Sequence, residues 1–98
     1  MSIKANVVSS ELFEQSKRTT FYRVVVSYDN HSWSVYRRYN EFRKMVDAIK
    51  RDFPNISLKM PGRNFFGNNF GADFIRSRRS GLNNLVQKIL SYPELLNL

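Results

Sequence analysis

The 98-residue chain contains no cysteine. That excludes disulfides, thiolate metal centres and thiol nucleophiles together, and it fits a reducing compartment. Histidine occurs once, as His31 in a turn, so no imidazole pair can hold zinc. Apolar runs are short. The longest is Val24-Val25-Val26, far from the ~20 residues that a spanning helix needs. No basic stretch followed by a long apolar one opens the chain, so no secretory signal is visible. Gly62 and Gly67 have the spacing of a phosphate-binding loop, but Asn68-Asn69 stand where Lys and Ser/Thr are required. The acidic residues are scattered, with no pair set for glycoside chemistry. These absences argue against an enzyme, and neither a cofactor nor a metal is expected.

What is present is ordinary globular material with an unusual charge. Hydrophobic residues make up 42% of the chain and charged residues 24%, which is normal domain usage. Sixteen Lys+Arg face eight Asp+Glu, for a net charge of +8. A surplus of that size points to an anionic partner, either nucleic acid or a membrane surface. Nucleic-acid binding would call for stacking aromatics interleaved with basic residues on a sheet face. The strand aromatics here, Phe21, Tyr22, Trp33 and Tyr36, are equally well explained as core and flanking surface. No nucleic acid partner is therefore expected.

The length allows one domain. Residues 4–9 read as a short edge strand, and residues 11–18 as a polar loop. Residues 19–28 are β-branched and aromatic, a strand. Asp29-Asn30 supplies turn chemistry, and residues 31–38 alternate as the hairpin partner. On that strand Trp33, Val35 and Arg37 share one face, and Arg38 lies on the other. The period then changes: Phe42, Met45, Val46, Ile49 and Phe53 describe an amphipathic helix, with Asn40 as its expected N-cap and Pro54 as its stop. Residues 54–71 form a long loop, of the kind that is often functional. A second helical pattern runs from about 72 to 92, where Gly81 is a candidate bend, and Pro93 opens a last short turn. Strands first and helices after argue for an α+β fold, an antiparallel meander with a helical layer on one side.

Two clusters carry chemistry. Arg37-Arg38-Tyr39 leads from a strand into a helix start, Lys59 and Arg63 lie in the long loop, and Arg76, Arg78 and Arg79 fall early in the second helix. Helix N-termini and planar guanidinium forks both suit phosphate. In the same loop Phe65, Phe66 and Phe70 sit among Gly and Asn, where no core periodicity demands them. They either tuck beneath the loop or form an apolar finger. Burying one Phe is worth on the order of 1.5–3 kcal/mol. Each basic residue against an anionic leaflet adds about 1 kcal/mol.

Arg37-Arg38-Tyr39-Asn40-Glu41-Phe42 resembles the RRYxxF signature of the phox-homology (PX) domain. A strand pair precedes it, and a helix, a proline-containing basic loop and Arg78-Arg79-Ser80-Gly81-Leu82 follow in the family's order. The stretches Phe66-Gly67-Asn68-Asn69-Phe70 and Tyr92-Pro93-Glu94-Leu95 are most similar to the PX domains of serum- and glucocorticoid-regulated kinase-like proteins. The resemblance implies a three-stranded antiparallel β-sheet packed against a helical subdomain of three or so helices. It also implies a basic pocket for phosphatidylinositol 3-phosphate on endosomal membranes, reached from the cytoplasmic side. Carried over by position, Arg38 would grip the 3-phosphate and Tyr39 would pack under the inositol ring. Arg63, where the family usually has lysine, would meet the 1-phosphate. Arg78 would bond the 4- and 5-hydroxyls, and Phe65 and Phe66 would insert into the membrane. The expected partner is thus a phosphoinositide-containing membrane. A preference for phosphatidylinositol 3,4-bisphosphate, or a protein partner on the helical face, stand as alternatives. Relatives usually continue into a further helix, so residues 1–98 are read as a single domain trimmed at its end and excised from a larger protein.

Overall fold

The computed structural model describes residues 3–14, 18–62 and 71–96. Three antiparallel strands, β1 (Ile3–Glu14), β2 (Arg18–Tyr28) and β3 (His31–Arg38), pair in the order β1-β2-β3. Asp29 closes the second hairpin with φ 55°, a left-handed conformation that Asp tolerates better than most residues. Helices α1 (Tyr39–Asp52), α2 (Ala72–Leu90) and the single-turn α3 (Pro93–Leu96) follow. The α+β class is therefore as expected.

β1 is longer than its composition suggests. It runs to Glu14 rather than stopping at residue 9, and takes in the first half of the stretch read as a loop. Leu12 and Phe13 pair with Thr20 and Thr19 of β2. The Phe13 ring stands edge-on to Phe21, with centroids 5.2 Å apart. Such cross-strand pairs decide strand formation where local polarity argues against it. A register shift between Val7 and Ser9 bends the strand. There α2 covers it: the Val7 N–H donates to Asn83 Oδ1 at 2.9 Å, and Gln87 Nε2 donates to the Ala5 carbonyl at 2.7 Å.

One face of the sheet builds the core. Ala5, Val7, Tyr22 and Val24 meet Phe42 and Val46 of α1, and Leu82, Leu85 and Val86 of α2. Ile56 and Leu58 of the segment after α1, and Leu95 of α3, complete it. Tyr22, Leu82 and Val46 are the most completely enclosed side chains. The alternation of β2 and the helical spacing of α1 and α2 deliver these residues to one interior.

Two helix boundaries differ from expectation. The N-cap of α1 is Arg38, not Asn40. The Glu41 carboxylate reaches back to accept the Arg38 backbone N–H at 2.9 Å, which fixes the helix start two residues earlier. α2 ends at Leu90 instead of residue 92, and Gly81 does not interrupt it. Glycine serves close approach there. A Cβ at Gly81 would lie 2.8 Å from Pro61 Cγ and 3.0 Å from its Cβ, and a pyrrolidine ring cannot swing away. Gly81→Val is expected to destabilise the fold by about 1–3 kcal/mol, as overpacking does. Gly81→Ala should cost less than Gly81→Val, because its gain of ~1 kcal/mol in helix propensity offsets part of the clash of its Cβ with Pro61. Urea denaturation of both variants checks this ordering.

Candidate functional site

The start of α1 meets the early part of α2 beside Pro61. Tyr39, the first residue of α1, donates its hydroxyl to the Pro61 carbonyl at 2.6 Å. That bond ties the segment leading to Arg63 onto α1. Arg78, on the second turn of α2, lays its guanidinium over the Tyr39 ring, 3.8 Å from the centroid. On its other side the same guanidinium meets the Phe74 ring at 4.4 Å. Phe74 and Arg78 are four residues apart, the spacing that stacks side chains along one helix face. Two aromatic contacts thus hold one planar cation in place.

Below the stack lies Tyr22. Burial pushes its phenol above the ordinary tyrosine value of 10.0, while the charge of Arg78, a side-chain hydrogen bond from it and the charge of Arg79 work against that rise. At neutral pH the phenol is therefore protonated. The Arg78 Nε is enclosed and has no hydrogen-bond partner among the described residues. An enclosed donor on a charged group without a partner is uncommon in a folded interior.

Arg38 sits at the junction of β3 and α1. Its side chain is about half exposed and turned towards Glu41, with Nε 3.6 Å from the carboxylate. An arginine has no acceptor, so the first N–H groups of α1 gain no side-chain cap from it. The register pairs Arg38 with Phe21, on the face opposite the core, while Arg37 pairs with Tyr22. Arg37 Nη1 bonds the Tyr36 carbonyl at 2.9 Å. The structure therefore unites Tyr39 and Arg78 by direct contact. Arg38 is next to Tyr39 in the chain, but its guanidinium rests on Glu41 and not on Arg78. Arg63, Phe65 and Phe66 lie outside the described residues.

Sequence reasoning missed three parts of this arrangement. Tyr22 reads only as a core aromatic, because nothing in β2 announces which residue will meet α2. Phe74 was legible as the i−4 neighbour of Arg78. The Pro61 carbonyl carries no sequence signal at all, being backbone. Among the described residues no group of three acidic or histidine side chains is placed for a metal ion, and no helix is long and apolar enough to cross a membrane.

Residues 25–98 match the family model described as the PX domain. This chain belongs to the PX domain family. PX domains are in general non-catalytic, phosphoinositide-binding modules that target proteins to membranes. The chain is 47% identical over 89 residues to the serine/threonine-protein kinase Sgk3 of Rattus norvegicus, which covers 91% of this chain and 18% of the kinase. Sorting nexin-16 of Homo sapiens is 30% identical over 92 residues, or 93% of this chain and 27% of that protein. The chain thus spans only a small part of the length of these relatives. Among solved structures, a designed CISK-PX domain superposes with a TM-score of 0.88 at 23% identity, over 97% of this chain and 91% of that one. The mouse SNX19 PX domain with bound sulphate ion gives 0.70 at 19% identity, over 98% and 89%. These likenesses support the fold: a three-stranded antiparallel sheet with helices on one side.

Proposed function

We propose that this PX domain binds phosphatidylinositol 3-phosphate at the meeting of α1 and α2, and so directs a larger protein to endosomal membranes. The observation that carries the reading is the Arg78 guanidinium, held against Tyr39 and Phe74 with an enclosed Nε that has no hydrogen-bond partner among the described residues. A rigid planar donor of this kind suits vicinal hydroxyls on an inositol ring. Arg38 takes the 3-phosphate. Its pairing with Glu41 is exposed, and exposed pairs are weak, so the guanidinium can turn to a doubly charged phosphate at little cost. The uncapped N–H groups at the start of α1 add favourable dipole charge. Tyr39 forms the floor beneath the ring, and Arg63 meets the 1-phosphate.

Phe65 and Phe66 enter the bilayer beside the bound headgroup. Two partly buried phenyl rings and the surrounding positive charge supply an attraction that a soluble headgroup lacks. Phe66→Ser is expected to weaken binding to vesicles containing phosphatidylinositol 3-phosphate by about tenfold or more. Binding of a short-chain soluble analogue should change by less than about twofold. Equal losses in both assays would remove insertion from the account.

The overall reading is tested with one vesicle panel, in which phosphatidylcholine carries each phosphoinositide in turn at physiological salt. Strongest retention on phosphatidylinositol 3-phosphate is the expected result. Strongest retention on the 3,4-bisphosphate would reassign the headgroup, and retention that follows only total negative charge would discard the pocket. Vesicles with the host protein absent also decide against a protein partner as the main role.

A further inference from the structure

We infer that the outer edge of β3, with the cleft between β3 and α1, docks an extended acidic segment of a partner protein, added to the sheet as a fourth strand. This surface uses none of Tyr39, Arg63 or Arg78, and meets the headgroup site only at Arg38.

The sheet ends at β3. Alternate residues of an antiparallel strand turn both backbone groups to the same side. Two bonds identify the outward set. The Arg38 N–H goes to Glu41 and the Tyr36 carbonyl accepts from Arg37 Nη1, so neither group is spent on β2. Ser32 and Ser34 belong to the same set, and among the described residues nothing bonds their backbone on that side. The opposite edge differs. There α2 takes the Val7 N–H through Asn83 and the Ala5 carbonyl through Gln87. Natural sheets cover or blunt their edges, and one left open is a template for another strand.

The side chains beside this edge select the strand. On the core-facing side, exposed Trp33 and half-buried Val35 are followed by Arg37. Val35, Arg37, Lys44 and Met45 line the cleft between β3 and α1. Neither Arg37 nor Lys44 has an ion pair among the described residues. An antiparallel strand here would set apolar side chains against Trp33 and Val35, and a carboxylate against Arg37 and Lys44. Charge disfavours a second copy of the chain, which brings another +8 to the contact. The far half of β1 carries Glu11 and Glu14 and does not suit an acidic strand. A lipid surface offers no backbone to pair with Ser32 and Ser34.

The probe is the hexapeptide Glu-Glu-Thr-Val-Thr-Val, acetylated and amidated, titrated into the intact domain. In antiparallel register its second glutamate meets Arg37, and its valines meet Val35 and Trp33. Amide hydrogen exchange is expected to slow at Ser32, Ser34 and Tyr36. The Trp33 and Val35 amides, which face β2, should not change. A peptide with lysine in place of both glutamates should bind at least tenfold more weakly, and Lys44→Glu should weaken the acidic peptide about tenfold. Ser34→Pro removes one outward N–H, a change that edge strands tolerate, and should abolish the protection. If that variant fails to fold, the exposed Lys44→Glu variant carries the test. Four results overturn the proposal: the peptide leaves the β3 amides unperturbed; the lysine peptide binds equally well; vesicles of phosphatidylcholine with phosphatidylserine protect these amides where the peptide does not; or protection arises in the free protein and grows with its concentration, which assigns the edge to a second copy.

Discussion

Arg38→Ala is expected to abolish selective retention on vesicles containing phosphatidylinositol 3-phosphate, lowering affinity by about a hundredfold or more, without unfolding the domain. A guanidinium on a phosphate makes charge-assisted bonds of roughly 1.5–3 kcal/mol each, commonly in pairs. Two such bonds correspond to a factor of this size. The fold has little to lose at this position. The side chain is about half exposed, and among the described residues its only ion pair is the exposed one with Glu41, at 3.6 Å. The Glu41 bond that starts α1 runs to the Arg38 backbone N–H, so alanine retains it. Co-sedimentation and a thermal melt of the same preparation give the two readouts. A folded Arg38→Ala protein that sediments like the wild type would refute the assignment of the 3-phosphate to this residue.

The parts of this molecule that were legible in the sequence are those set by periodicity. Val24 and Tyr22 alternate on β2, Phe42 and Val46 repeat on α1, and Leu82, Leu85 and Val86 repeat on α2; all seven are buried. The hairpin turn at Asp29-Asn30 was legible because few residue types accept its geometry. The far half of β1 was not. Ser9, Ser10, Glu11 and Glu14 are polar, and what makes them strand is pairing with β2, which local composition does not record. The start of α1 was misplaced for a similar reason, since Asn40 is the better cap by residue type but Glu41 bonds the Arg38 amide instead. At the site, the residue types of Arg38, Tyr39 and Arg78 were readable. The Phe74 contact follows from helical spacing, but the contact of Arg78 with Tyr39, the Tyr22 floor and the Pro61 acceptor depend on how α2 crosses the sheet. A one-dimensional pattern carries no record of that crossing.

Arg78→Met should separate the second site residue from the first by its effect on stability. Methionine fills much of the volume but has no charge and no planar donor. The guanidinium lies 3.8 Å from the Tyr39 centroid and 4.4 Å from that of Phe74. Partly enclosed contacts of this kind contribute about 1–2 kcal/mol. The guanidinium charge also favours the phenol oxygen of Tyr22, working against the rise that burial imposes on its pKa. A loss of 1–2 kcal/mol in a domain of this size lowers the melting temperature by roughly 5–15 °C. One opposing effect is the relief of the enclosed Nε, which has no hydrogen-bond partner among the described residues. It reduces the loss but does not reverse it, because two ring contacts disappear with it. Affinity for phosphatidylinositol 3-phosphate should fall at least tenfold through the missing hydroxyl contacts. Arg78→Lys retains the charge without the plane, and should recover some stability but little selectivity. The informative comparison is with Arg38→Ala, which should weaken binding more and melt with the wild type. If Arg78→Met melted with the wild type as well, the guanidinium would not be holding α1 and α2 together, and its clamped geometry would lose its energetic meaning.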